Sequence, residues 1–558
     1  MILLMALCGA LYFAYLGSTP FFDKGEPREA LAVQDIVQRG EWLVPLKKAT
    51  DIPSKPPLFH WGAAAISLAS GRLSEATIRL PSAVYATLGV LLIYVLGRRL
   101  FGADVAFLGA AILATTTIYQ NQALSARVDM TLCFFVTMSL ALFYSLYRGF
   151  LAREIWYYVF FALVGISVLA KGPLGIVLPA LVAGLFVIFK KRWDLVSKFC
   201  FHPGVVVALM FATAWYLIAV TRGGEGFFDR QIVEENLSRF AGGSGHSSPF
   251  YYYIPYVFAL GLPWSLFLPF LLWDSFKNGF LSDDESLFLK IWFLAMFAFF
   301  SVSLGKRSVY ILPIYPAISL LMAYWFYHHS AAEGTRRALY RLIAVLAGAM
   351  GLVLIVVTMG TFWNHNPGWF FSPIEGVLKP KDRANLLVVK NALATFGWLF
   401  TVVSLLSGVL WLCLARSLYV GRLRAAAWQL VLVSVPVAFI TRAIVMPVIA
   451  EGKSYREFMS QVNQRVIDPN RLFLYGSFNS DPVVFYRGSP IETLDQPLEK
   501  LAPSMPSGEV FIIMPEQLFL EMRKQNRNLP MPLLKSVGKG PEGDARLVLL
   551  QLSGSHAT

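Results

Sequence analysis

Charge is scarce in this chain of 558 residues: Asp, Glu, Lys and Arg together make up 15%, against 56% hydrophobic residues. One ordinary soluble domain has no interior large enough to hide so much apolar surface, so that class is excluded. Cysteine is scarcer still, with four in all. Cys8, Cys133 and Cys413 lie within apolar segments and Cys200 beside one, with no CxxC pair, so neither a zinc site nor a disulfide framework is supported. No internal repeat or low-complexity tract stands out, which argues against a solenoid. Acids are the minority sign, 34 against 48 Lys and Arg. A net charge of +14 raises nucleic acid as a partner, but the basic residues are spread along the chain and collect in every second short loop.

What the chain has in abundance is long apolar segments. A helix needs about 20 apolar residues to cross a bilayer, and about thirteen candidates lie between Met1 and Ala450. They centre near residues 9, 89, 113, 139, 162, 181, 212, 263, 295, 317, 350, 403 and 437. The first is short and Gly-interrupted, but without a basic start or a clean small-residue cleavage site it reads as a retained anchor. The basic loops hold Arg98 and Arg99, Arg148 and Arg153, Lys190 to Arg192 with Lys198, Arg336 and Arg337, then Arg416, Arg422 and Arg424. The positive-inside rule makes them cytoplasmic, which puts the N-terminus inside and the C-terminal region outside. The expected fold is a polytopic α-helical membrane protein of about 13 transmembrane helices, with outer-face amphipathic loop helices and a small C-terminal α/β domain.

Two domains are expected. Residues 1–450 form the membrane domain, including outer loops 18–58 and 222–252, and 451–558 form the outer α/β domain. In the first loop Glu26 to Arg39 places Ala30, Val33, Ile36 and Val37 on one face, the pattern of an interfacial helix riding on lipid. The second loop contains Gly242, Gly243 and Gly245, a run suited to a mobile loop. Beyond Glu451, strands are expected at Arg471 to Tyr475, Glu509 to Ile513 and Arg546 to Leu550, and helices near Tyr455 to Val466 and Pro515 to Asn526. That region has no Gly-rich phosphate loop.

The charged clusters fall at one end of the apolar segments. Asp23-Lys24-Gly25-Glu26-Pro27-Arg28-Glu29 follows the first segment; an acid there serves as a general base or substrate contact, or simply begins a helix with Pro27 in its first turn. In Ser54-Lys55-Pro56-Pro57 the prolines stiffen the backbone around one lysine, a point charge suited to a phosphate or to snorkelling among headgroups. Asp129, at the mouth of an apolar helix, is costly unless paired or functional, or else it caps the helix. Lys171-Gly172-Pro173 reads as a cationic site or a tight outer turn. Glu234 to Phe240, with His246 and Tyr251 to Tyr253, mixes acids, a base and stacking surfaces suited to a sugar. Lys306 and Arg307 add cations on the less positive side. Cations of this kind stabilise a departing phosphate while an acid orients or deprotonates an acceptor.

Three motifs follow one another in order: Gly25-Glu26-Pro27-Arg28-Glu29-Ala30, Gly40-Glu41-Trp42-Leu43-Val44-Pro45 and Lys55-Pro56-Pro57-Leu58. Arg127-Val128-Asp129, Ala170-Lys171-Gly172, Glu235 to Phe240, Leu262-Pro263-Trp264 and Ser303 to Tyr310 continue the series over about 300 residues. Together they resemble the C-type, lipid-sugar-dependent glycosyltransferases, nearest the bacterial aminoarabinose transferases that modify lipid A, with protein O-mannosyltransferases more distant. The resemblance implies inverting transfer of a sugar from undecaprenyl phosphate at the periplasmic face of the bacterial inner membrane, to a lipid A-type or other envelope acceptor. It implies Glu26 and Asp129 as catalytic residues. Lys55, Arg28, Lys171, Glu235, Arg239, Lys306, Arg307 and Tyr310 become substrate-binding residues, and His246 a candidate ligand for a divalent metal; no cofactor is firmly required. Two departures are visible, because those transferases usually show Asp-Glu at Gly25-Glu26 and Glu-Lys-Pro at Ser54-Lys55-Pro56. The missing acids weaken the case for an aminosugar donor and for a metal shared with His246. Other classes are a lipid-linked sugar flippase, which would place charges at mid-membrane and often repeat its helices, and a binding protein serving a partner enzyme.

Overall fold

A computed structural model describes residues 1–48, 51–52, 54–223, 225–229, 248–277, 283–328, 335–364, 380–494, 509–525, 529–540 and 545–553. The chain gathers into two compact units: Met1–Leu16, Ser54–Phe59 and Arg79–Ile444 form the first, and Gly17–Pro53, His60–Ile78 and Val445–Thr558 the second. The outer stretch expected within the membrane domain therefore clusters with the C-terminal region, so the units do not divide at Ala450 alone.

The helices are α1 Ile2–Phe13, α2 Glu26–Arg39, α3 Leu58–Ser70, α4 Glu75–Phe101, α5 Ala103–Thr115, α6 Thr117–Ala123, α7 Val128–Tyr147, α8 Ile155–Lys171, α9 Leu174–Phe189, α10 Trp193–Cys200 and α11 Gly204–Arg222. They continue as α12 Phe250–Leu260, α13 Trp264–Ser275, α14 Asp284–Val302, α15 Ser308–His328, α16 Arg337–Gly360, α17 Trp398–Val420 and α18 Leu423–Ile440, after which a π turn covers Thr441–Val445. Among the described residues eight helices are long and apolar enough to cross a membrane, or ten if each of two bent pairs counts as one span. Twelve of the thirteen expected centres fall on an apolar helix and the one near residue 263 falls at the break between α12 and α13, while α1, α8 and α9 have only 10–17 residues, short of the length assumed.

In the first unit α8 packs on α7 and α11, and α15 on α5. The bent pairs are α5 with α6, at 65°, and α12 with α13, at 112°. A broken helix in lipid frees backbone groups that need new partners, and each break supplies the other. The Thr117 N–H and Oγ1 donate to the Leu262 carbonyl at 3.0 and 2.9 Å, while Trp264 Nε1 donates to Thr115 Oγ1 at 3.0 Å. Buried Trp292 and Trp325 likewise satisfy their indole N–H groups, on the Pro313 carbonyl at 2.9 Å and Asp274 Oδ2 at 2.8 Å.

One end of this unit is defined by ion pairs: Lys190 Nζ meets Asp284 Oδ1 at 2.5 Å, and Arg148 meets Glu285 at 3.2 Å. Helix α7 runs from Asp129 to Arg148 at its C-cap, about 30 Å by helical rise. Asp129 thus stands at the opposite end of the bundle from these basic residues.

In the second unit α2 begins where Asp23 Oδ1 accepts the N–H groups of Gly25 and Glu26 at 2.6 and 2.9 Å, and it ends at Gly40 in the left-handed region, φ 70°. The remaining elements are α19 Arg456–Arg465, β1 Leu472–Tyr475, α20 Asp481–Arg487, β2 Glu492–Leu494, β3 Glu509–Pro515, α21 Glu516–Gln525, β4 Leu534–Lys535 and β5 Leu547–Ser553. The sheet order is β2-β1-β3-β5-β4, with β1 parallel to β2 and β3, and β5 antiparallel to β3 and β4. Strand β3 is buried from Val510 to Pro515, so both its faces are covered and it reads as an unbroken apolar run.

Helix α2 is buried over more than its apolar stripe. It packs against α20, and Glu29, Gln34 and Asp35 are buried along with Ala30, Val33 and Ile36. Two of these polar side chains are met by distant partners: Asp35 Oδ2 accepts the Leu46 N–H at 2.8 Å, and Glu29 Oε2 lies 2.9 Å from His60 Nε2. Tyr486 on α20 links this layer further, accepting the Phe21 N–H at 2.8 Å and donating to Glu75 Oε1 at 2.9 Å.

Candidate active site

The first unit brings three of the expected residues together. Asp129 sits in the first turn of α7 and Lys171 is the last residue of α8; the Lys171 ammonium donates to Asp129 Oδ1, and the two side chains are only 8% and 9% exposed. Lys171 Nζ also lies 4.3 Å from the centroid of the Tyr310 ring. An ammonium buried between a carboxylate and an aromatic face has both its charge and its stem satisfied.

The local sequence builds this geometry. Gly172 takes φ 75°, which L side chains rarely adopt, and its N–H closes α8 on the Val168 carbonyl at 2.7 Å. A Cβ at Gly175 would stand 2.4 Å from Ser167 atoms, and Ser167 Oγ lies 2.7 Å from the carbonyls of both Val164 and Gly175. The Lys171-Gly172-Pro173 segment is thus a tight turn, and it also aims the ammonium at Asp129.

Lys306 is buried in the loop between α14 and α15 and donates to the carbonyls of Ser303 and Ser248, the latter at 3.1 Å. Burial pulls its ammonium below the usual lysine range. Its charge is engaged with the backbone, joining residue 248 to the 303–306 loop, where the Ser248 N–H also meets the Leu304 carbonyl at 3.3 Å. Arg307 and Tyr310 are half-buried, Arg307 in extended conformation ahead of the turn that carries Tyr310. Lys55 is half-buried just before α3, followed by buried Pro56 and Pro57.

The second unit holds the other acid. Glu26 is 2% exposed in the first turn of α2, with Pro27 beside it, the helix start its sequence allowed. One turn on, Glu29 receives Arg28 Nη2 at 3.2 Å and faces His60. Lys48 reaches Asp481 at 2.8 Å and Ser480 at 2.9 Å, and burial lowers the ammonium of neighbouring Lys47. Glu234, Glu235, Arg239 and His246, with the Gly242 to Gly245 run, lie outside the described residues. Among the described residues no group of three or more His, Cys, Asp or Glu stands close enough to hold a metal ion.

Sequence reading missed two features. His60 is a lone histidine in an apolar helix, and no spacing marked it as a partner of Glu29. Arg442, whose Nη2 donates to Asn121 Oδ1, interrupts the last apolar segment, and that interruption was the available signal.

Residues 54–217 match the model of the family described as dolichyl-phosphate-mannose-protein mannosyltransferase. The chain is 31% identical over 360 residues to the undecaprenyl phosphate-alpha-4-amino-4-deoxy-L-arabinose arabinosyl transferase 1 of Pseudomonas fluorescens Pf-5, covering 63% of this chain and 64% of that one. The corresponding Pseudomonas paraeruginosa protein is matched over 60% of its length, so the chain spans a little under two thirds of these relatives. Transferase 2 of Pseudomonas fluorescens Pf0-1 is 30% identical over 407 residues, 72% of this chain and 70% of that protein. The crystal structure of ArnT from Cupriavidus metallidurans bound to undecaprenyl phosphate has the same fold, with a TM-score of 0.75 at 22% identity over 100% of this chain and 98% of that chain. With the ordered motifs and the match to transferase 2, this chain belongs to the membrane glycosyltransferase family of the undecaprenyl phosphate-aminoarabinose arabinosyl transferases.

Proposed function

We propose that the protein moves a sugar from a polyprenyl phosphate, of the undecaprenyl type, to an envelope acceptor such as a lipid A phosphate at the periplasmic face of the inner membrane. The observation that carries this reading is the buried Asp129–Lys171 pair beside Tyr310, at the end of the bundle opposite the basic residues. The names of the relatives supply the donor class. About thirteen crossings follow when α1, α8 and α9 are counted as spans beside the eight long helices and the two bent pairs, with α3 left out and the N-terminus and basic loops cytoplasmic.

In the reaction an acceptor oxygen attacks the anomeric carbon, the carbon–oxygen bond to the lipid phosphate breaks, and that phosphate leaves with the electron pair. Lys55 stabilises the departing phosphate, with Arg28, Arg239 and Arg307 as further cations. Glu26 or Asp129 orients the nucleophile. A hydroxyl acceptor gives its proton to that acid, whereas a phosphate acceptor is already anionic and needs no strong base. Lys171 holds Asp129 in place rather than meeting substrate directly, and Lys306 shapes the loop that carries Arg307 and Tyr310. Glu235 contacts the sugar. A divalent cation, were one bound, would be held through His246 and would supply positive charge beside the leaving phosphate.

Mass spectrometry of envelope lipids from cells with and without the gene tests the reading. Accumulated polyprenyl-phosphate sugar together with loss of that sugar from one envelope glycan is the expected result; unchanged lipid pools and intact glycans would overturn it. The family match over residues 54–217 favours a second reading, a protein acceptor, which would appear as loss of hexose from secreted proteins with lipid A intact.

A further inference from the structure

The chain returns from α9 to α11 through α10, Trp193–Cys200, which rises about 12 Å and is too short to cross a bilayer. One of its faces is mounted on the bundle. Leu195 is buried, and the Phe199 ring stands 5.4 Å from the rings of Phe143, Tyr157 and Phe160. The far end of the connection is fixed as well: buried His202 stacks on Tyr157 and Phe161, and its Nδ1 accepts the Gly204 N–H at 2.9 Å, which leaves the proton on Nε2, 2.7 Å from Glu154 Oε1.

A second face is apolar and uncovered. At the helical period Trp193, Val196 and Cys200 fall on one stripe, and all three are exposed, Trp193 to 61%. Phe189 and Phe201 bracket the stripe at 65% and 85% exposure. The helix that follows carries the same exposure at Val206, Leu209 and Met210, and it is long and apolar enough to cross the membrane, so lipid is what covers its outward side. The polar side of α10 holds the charge, with Lys190, Lys191, Arg192 and Lys198 set against one acid, Asp194. Arg192 takes Asp194 at 2.8 Å and Lys190 takes Asp284, whereas Lys191 and Lys198 are exposed and form no ion pair among the described residues. An apolar stripe led by a tryptophan, with uncompensated lysines on the polar side, is the composition of a helix that lies in the interface plane.

We propose that α10 is an interfacial anchor on the Arg148 and Lys190 face, cytoplasmic in the orientation proposed above. Trp193, Val196 and Cys200 sit at the boundary of headgroups and acyl chains, and Lys191 and Lys198 meet the headgroups of anionic phospholipids. A second copy of the chain fits this face less well, because a twofold contact would bring Lys191 and Lys198 against the same lysines of the other copy. The anchor stands at the opposite end of the bundle from Asp129 and does not depend on the transfer reaction.

Spin-label accessibility on the full chain in lipid nanodiscs tests it. Cys8 and Cys133 are buried, so a Cys413→Ser protein takes a nitroxide at the native Cys200, and a control protein with Asp194→Cys, Cys200→Ser and Cys413→Ser takes it on the polar side. In discs containing phosphatidylglycerol, collisions of the Cys200 label with oxygen relative to an aqueous nickel chelate are expected to exceed those of the control label several-fold. Equal ratios at the two positions would overturn the proposal, and so would a Cys200 label shielded from both reagents, the mark of a protein partner or a second copy. The Cys200 ratio should fall when phosphatidylcholine replaces phosphatidylglycerol, and Lys191→Gln with Lys198→Gln should remove that difference. The same ratio in both lipids for the protein with its lysines intact would overturn the anionic assignment, and this comparison decides if the lysine variant does not fold.

Discussion

The ammonium of Lys171 meets Asp129 Oδ1 from a helix 42 residues further along the chain, with the Tyr310 ring behind it. A buried pair of this sort separates two quantities that single substitutions confound. Removing either partner leaves a buried charge and destabilises by about 3–5 kcal/mol, while loss of a residue acting on the nucleophile lowers turnover by about 10²–10⁴-fold. Asp129→Asn and Lys171→Met are each expected to lower the melting temperature. The double variant should melt near the wild type yet remain inactive, and recovery of turnover in it would remove Asp129 from the catalytic set.

Glu26 is buried in the first turn of α2, where Asp23 already takes the helix's leading N–H groups. Capping is therefore met without Glu26. Glu26→Gln should fold and melt like the wild type while losing about 10²-fold or more in turnover on a hydroxyl acceptor. An equal loss for Asp23→Asn and none for Glu26→Gln would assign the segment to structure alone.

Lys55 is proposed to stabilise a leaving phosphate, an interaction that strengthens as charge develops. Lys55→Met should lower kcat/KM for a polyprenyl-phosphate sugar by about 10²–10³-fold, with Lys55→Arg retaining part of the rate. Steady-state kinetics with the donor varied read this directly, and wild-type kinetics in Lys55→Met would move the phosphate site elsewhere.

Burial raises the carboxyl of Asp35 above its ordinary value, with the Leu46 N–H and Arg39 offsetting part of the effect. With the folded value above the unfolded one, the native state binds more protons between them, so the Asp35 contribution is present below the unfolded value and is lost as pH rises through the folded value. Asp35→Asn keeps an acceptor for Leu46 and removes the titration. Its melting temperature is expected to gain on the wild type as pH rises from about 4 toward neutrality. Parallel melting curves across that range would contradict the assignment.

Membrane character was readable because hydropathy sums over a window: of the expected centres near residues 9 to 437, all but the one near 263 fall on a helix, and that one falls at a break inside a bent apolar pair. The same averaging hides the breaks at Thr116 and Leu262, which depend on one backbone bonding to another 145 residues away. Strands β1, β3 and β5 lie within a few residues of their expected ranges, whereas β2, β4 and α20 are too short for periodicity to register. The burial of α2 escaped for another reason. An amphipathic pattern reports that one face is apolar, but it cannot report that Glu29 and Asp35 on the other faces will find His60 and the Leu46 N–H. Asp129 and Lys171 were each legible as candidates; their pairing required the α8 turn.

That turn fixes more than a contact. With Gly172 closing α8 and no room for a side chain at Gly175, the Lys171 ammonium is set during folding rather than by an arriving ligand. The electrostatic environment of Asp129 is pre-organised, which leaves little solvent or side-chain reorganisation for the bond-making step. For the proposed transfer, the search for a slow step then points toward the lateral arrival of the lipid donor and the departure of its product.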